Sequence, residues 1–144
     1  MMKLLPIQND KFPFLVIDNF YSAEELEKIW KEIDFLGDKA KPEYNVVAKK
    51  HGKPLASVKR VYLDNLYTTR KTSNILEFFP SKLYSQEVTD TYVNLVPSGV
   101  NFATSNHDTT QLSYYENKDG YKSHTDVSQH TALTWIYKEP KKFE

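Results

Sequence analysis

A mixed α+β fold in one domain, residues 1–144, is predicted by three observations. The stretch 22–37 carries apolar residues at helical spacing behind a capping signal. Four runs rich in β-branched and aromatic residues, 12–17, 58–63, 112–115 and 131–137, read as strands. The chain has 144 residues, of which 40% are hydrophobic and 14% aromatic, enough for one packed core.

Taken in order, the first strand, 12–17, ends at Asp18-Asn19. Ser22-Ala-Glu-Glu25 has the form of a capping box, with Tyr21 and Leu26 spaced as its hydrophobic staple. Leu26, Ile29, Trp30, Ile33 and Leu36 then recur with the helical period, and Gly37 supplies the stop. Residues 38–57 are polar and Lys-rich, and read as a solvated loop or a flap over a site. The strand 58–63 closes at Asp64-Asn65, with Leu66-Tyr67 as a possible extension. Thr72 or Ser73 caps a short helix that Pro80 is expected to end. A second helical piece is predicted over 81–93, a turn over 94–99, a strand over 100–103 and a polar loop over 104–110.

Composition excludes several function classes. Formal net charge is zero, so a strong basic footprint for nucleic acid is not expected, and Lys49-Lys50-His51 is only a short basic cluster. Cys is absent, which removes disulfide frameworks and thiolate metal sites and fits a reducing, cytoplasmic setting. The apolar run at residues 1–7 is too short for a signal peptide. Nothing approaches the roughly twenty apolar residues of a membrane span.

The chemistry concentrates near the carboxyl-terminal end. His124 and Asp126 are two residues apart, and in an extended strand i and i+2 share a face. A neutral nitrogen beside a hard oxygen suits a divalent iron or manganese ion. A bare His-x-Asp is a short motif, and a surface pair in a loop is its plain reading. The flanks add to it: a strand to Tyr115, a turn at Asn117-Lys-Asp-Gly120, the pair, a polar loop through His130, then the run 131–137. That is the element order of a metal-bearing β-barrel.

Tyr115-Glu-Asn-Lys-Asp-Gly-Tyr-Lys-Ser-His-Thr-Asp126 followed by Thr131-Ala-Leu-Thr-Trp-Ile-Tyr137 resembles the prolyl 4-hydroxylase-like iron(II)/2-oxoglutarate-dependent oxygenases. The resemblance spans residues 112–137 and extends more weakly to the amino-terminal strand and helix. It implies a double-stranded β-helix (jelly-roll) core with amino-terminal helices packed on the sheet. It also implies iron(II) at His124 and Asp126, and 2-oxoglutarate as cosubstrate, with ascorbate a further candidate cofactor. Tyr115 would contact the cosubstrate, and Leu133 and Trp135 would line its pocket; core roles fit all three residues equally. The reaction implied is C–H hydroxylation of a small-molecule or peptidyl substrate, coupled to oxidative decarboxylation.

The family pattern continues with a Gly-Gly strand, a distal His and a basic residue, whereas this sequence ends at Pro140-Lys-Lys-Phe-Glu144. The expectation is therefore an incomplete jelly roll, inactive by itself, able to dimerise through an exposed sheet edge. The alternative expectation is a non-catalytic jelly-roll binding module with a vestigial metal site.

Overall fold

A computed structural model describes residues 1–37, 49–51, 53–54, 56–105, 107–116, 119–124 and 128–138. Strands β1 (Lys3–Ile7) and β2 (Phe14–Asp18) form an antiparallel hairpin in which Leu5 faces Val16. β2 was expected; β1 was not, because Pro6 and Lys3 interrupt its apolar pattern. Asn19 takes a left-handed φ of 53°, which the short amide side chain tolerates, and turns the chain towards the first helix.

Helix α1 (Ala23–Gly37) is the element on which the core is built. Its capping box forms as expected: the Ser22 amide donates to Glu25 Oε2 at 2.7 Å, and the Glu25 amide donates to Ser22 Oγ at 3.2 Å. Ser22→Ala is expected to cost about 1 kcal/mol, read as a lower midpoint in urea at unchanged slope. Ile29, Ile33 and Leu36 form the buried stripe and pack with Val61, Leu63, Ile75 and Leu76.

After the two-residue strands β3 (Lys49–Lys50), β4 (Lys53–Pro54) and β5 (Ala56–Ser57) comes β6 (Lys59–Tyr62). His51, in the β3–β4 turn, has a φ of 50°. Leu66 and Tyr67 do not extend β6: a 3-10 turn over Leu63–Asn65 intervenes, and the Tyr67 amide donates back to the Leu63 carbonyl at 3.0 Å.

Helix α2 (Asn74–Leu83) is capped by Ser73, whose Oγ accepts from the Leu76 amide at 3.0 Å. Pro80, expected to end this helix, lies inside it. A helix-interior proline forfeits one backbone bond and crowds the preceding turn, at about 3 kcal/mol. Burial of Ile75 and Leu76, and of Phe79 against Phe20 at 5.6 Å, offsets that penalty. The break comes instead at Ser85, whose extended backbone opens α3 (Gln86–Leu95).

Residues 100–103 are helical rather than a strand, within α4 (Gly99–Ala103). Four apolar residues carry no period that separates the two states. Packing decides, because Phe102 stacks on Tyr84 at 5.1 Å and meets Tyr92 edge-on at 5.2 Å. Gly99 is required at the α3–α4 junction: a Cβ there would stand 2.7 Å from Val93 Cα.

Strand β7 (Gln111–Tyr114) pairs antiparallel with β6, with Val61 opposite Leu112 and Arg60 opposite Ser113. β8 (Gly120–Tyr121) pairs with β5, not with β7. Asn117 and Lys118 of the expected turn lie outside the described residues. Lys59 pairs with Tyr114 and Ser57 with Gly120, so β7 and β8 meet the run 56–62 on either side of Val58. Glu116 and Asp119 close the loop: the Glu116 amide donates to Asp119 Oδ2 at 2.9 Å, and the Asp119 amide to the Glu116 carbonyl at 3.1 Å.

Tyr114 points from the ribbon onto α1 and donates to the Ile33 carbonyl at 2.9 Å. Burial pushes its phenol up to about 12, with Asp34 and Glu32 adding to the shift. A raised folded pKa means that the unfolded chain ionises first. Stability is thus complete below about pH 10 and declines as pH climbs towards the folded value. Tyr114→Phe is expected to flatten that alkaline decline, measured by denaturation between about pH 9 and 11.

The expected strand at 131–137 does not form among the described residues. A β-prone sequence is a strand only where an edge is available to pair with it. The segment instead lies across the helices. His130 Nδ1 and the Tyr92 hydroxyl are 3.2 Å apart, Ile136 packs on the core, and Lys138 pairs with Asp34 at 2.8 Å. Strands and helices thus mix as an α+β fold, with helix α1 packed on one face of the β6–β7 ribbon. Among the described residues, no helix is long and apolar enough to cross a membrane.

Candidate functional site

The β6–β7 ribbon has two unlike faces, as strand alternation requires. Val61, Leu112 and Tyr114 turn to α1. Arg60 and Ser113, out of phase with them, turn to the opposite face, where Arg60 Nε donates to Ser113 Oγ at 3.3 Å. Arg60 is only 6% exposed. Its guanidinium lies over the Tyr121 ring, 4.7 Å from the centroid. Tyr121 also meets the His124 imidazole, stacked at 3.8 Å between centroids and 17° between planes.

His124 is exposed and its Nδ1 lies 2.9 Å from the Lys122 carbonyl. A carbonyl only accepts, so Nδ1 carries a proton there. Metal-bound imidazoles are oriented in this way: one ring nitrogen donates to a backbone carbonyl and the other ligates. The donor chemistry at His124 therefore fits a divalent metal. Asp126, the second expected ligand, lies outside the described residues. Among the described residues, no three His, Asp or Glu side chains converge on a point.

The expected cosubstrate contacts are exposed. Tyr115 follows β7 directly and is 44% exposed, while Leu133 and Trp135 are 67% and 77% exposed. His51 sits in its turn, and the exposed His107 accepts from Ser105 Oγ through its carbonyl at 3.0 Å. His130 is committed elsewhere. Its ring lies edge-on to Tyr92 at 5.7 Å and to Phe102 at 5.8 Å, on α3 and α4.

Two residues of this face, Arg60 and Tyr121, were not singled out by sequence reasoning. The available signal was Arg60 itself, an Arg next to Val61 in a predicted strand. Nothing local pairs it with Tyr121, which comes from a strand sixty residues on. A separate shallow groove of about 360 Å³ opens on the helical side, lined by residues such as Lys28, Glu32, Phe35 and Tyr67. Its buried carboxyl group, Glu32, is taken up in holding α2, since Ser73 Oγ donates to it and the Ile75 amide donates at 3.2 Å.

No protein-family model, curated protein or solved structure matches the chain.

Proposed function

We propose that this chain belongs to an iron(II)- and 2-oxoglutarate-dependent hydroxylase with a jelly-roll core, and that His124 and Asp126 are two of its metal ligands. The observation that carries the reading is the placement of His124. Its ring stacks on Tyr121, which Arg60 covers from the ribbon face opposite α1, and its Nδ1 is tied to a backbone carbonyl. A jelly-roll oxygenase also keeps its helices outside and its metal on the inner sheet face, so the sidedness agrees with the resemblance over residues 112–137.

When bound, ferrous iron and 2-oxoglutarate would supply the oxidising equivalents for C–H hydroxylation. The residues of the chain have simpler tasks. His124 presents one neutral nitrogen, and Asp126 adds an anionic oxygen that favours a hard divalent cation. Tyr115, Leu133 and Trp135 are proposed to contact the cosubstrate. A cytoplasmic setting belongs to the same proposal. The substrate class is a small molecule or a peptidyl side chain.

A second reading, a non-catalytic binding module, is favoured by one observation. Leu133, Trp135 and Tyr137 alternate along one segment at 67%, 77% and 57% exposure, a pattern suited to a partner strand or a second copy. Iron(II) affinity, measured by equilibrium dialysis on the wild-type chain and its His124→Ala and Asp126→Ala variants, separates the two. Loss in both variants supports the hydroxylase. Equal affinity in all three chains removes the metal site and leaves the binding module.

A further inference from the structure

We propose that Tyr121 is a positioning residue that sets the plane of the His124 imidazole, and that Arg60 is the backing that holds Tyr121 in place. The functional meaning of the stack rests on the metal-ligand reading of His124; the stack itself does not.

The argument starts from the rigid part of the ribbon and runs outward. Arg60 and Ser113 are register partners on adjacent strands, joined side chain to side chain at 3.3 Å. Arg60 is nearly buried, so its guanidinium cannot swing away into solvent. It covers one face of Tyr121, a cation–π arrangement well within the usual 6 Å limit. The Tyr121 backbone is fixed by its pairing with Ala56 in the β5–β8 ladder. Held by its backbone and by Arg60, the phenol ring offers its surface to His124, which lies almost parallel at 3.8 Å.

His124 itself is exposed and follows β8, outside any strand. An imidazole there would ordinarily sample several rotamers. Two restraints act on it together. Stacking on Tyr121 sets the tilt of the ring. The 2.9 Å contact between Nδ1 and the Lys122 carbonyl sets its rotation within that plane. With both fixed, Nε2 points in one direction. A ligand held in its bonding geometry loses little conformational freedom when a metal arrives, and affinity rises accordingly.

The test uses the full chain labelled on histidine, with Mn(II) as the probe metal and two substitutions. Tyr121→Phe keeps both ring faces, whereas Tyr121→Leu keeps apolar bulk without a ring. A well-dispersed amide spectrum confirms that each variant folds. In the metal-free wild type, the carbon-bound ring protons of His124 should resonate upfield of those of His51 and His107, because they sit over an aromatic face. Tyr121→Phe should retain that upfield shift and Tyr121→Leu should abolish it. Mn(II) affinity should fall roughly tenfold in Tyr121→Leu, as for loss of other groups that orient a ligand. It should stay within about twofold in Tyr121→Phe, since a phenyl ring keeps the cation–π contact.

A wild-type His124 without an upfield shift, or a shift unchanged in Tyr121→Leu, overturns the proposal. So does Mn(II) binding that needs His124 but ignores Tyr121→Leu, an outcome that leaves the metal reading standing. If the shifts behave as expected while His124→Ala binds Mn(II) as well as wild type, Tyr121 still positions the imidazole and the metal-ligand reading is what fails.

Discussion

Replacing His124 with Ala is expected to lower iron(II) affinity by more than about 100-fold, since loss of a group that merely orients a ligand already costs 10–100-fold. In a form of the protein that turns over 2-oxoglutarate, the same change is expected to reduce succinate formation to background. The fold should be indifferent to it. His124 is exposed, and the core that α1 builds lies on the other face of the ribbon. The expected stability change is under about 0.5 kcal/mol, the usual range for surface substitutions. Circular dichroism and a urea midpoint check the second statement; dialysis and coupled turnover check the first. Turnover that persists in His124→Ala with an intact fold would take this residue out of the site. A large loss of stability would mean that the imidazole is structural.

Glu32→Ala is expected to be the most damaging substitution for the fold, at about 3 kcal/mol, or roughly a 10 °C fall in Tm. Glu32 is 7% exposed and faces α2 from α1. Its carboxyl group accepts from Ser73 Oγ and, at 3.2 Å, from the Ile75 amide. Ser73, fully buried, passes the interaction on by accepting from the Leu76 amide at 3.0 Å. Tyr67 also bonds to Glu32; burial first, and Glu32 second, raise the Tyr67 phenol above its ordinary range. Truncation therefore strands donors in the interior, each at about 1–3 kcal/mol. Glu32→Gln keeps an acceptor oxygen and should lose about a third as much. Calorimetry on both variants is the check. A fall below about 1 kcal/mol for Glu32→Ala would show that water or rearrangement satisfies those groups.

Sequence and tertiary structure contributed differently to these two residues. Glu32 was hidden from sequence reasoning because it lies in the helix that was most legible. The capping box, the period of Ile29, Ile33 and Leu36, and the stop at Gly37 all read correctly, and α1 ends where its pattern does. A Glu between two buried turns looks like any solvated helix residue until α2 is brought against it. The same holds for Pro80, whose local rule predicts a helix end but whose neighbours Ile75, Leu76 and Phe79 gain more by staying packed.

At the candidate site the division is similar. Chain order placed β6 and β7, and the spacing of His124 and Asp126 marked the chemistry. The run 131–137 was read as a strand from its composition, yet it pairs with no strand among the described residues. Strand formation depends on an available edge and not on residue type alone. What the amino-acid order determined by itself are the features set within a few residues: helix caps, amphipathic periods and the His-x-Asp spacing. Only the tertiary structure decided which residues share a face, so Arg60 from β6 and Tyr121 from β8 meet His124 in one stack. The physical reason is range: capping and periodicity act over one helical turn, whereas burial and ring stacking join residues sixty apart only once the chain has closed.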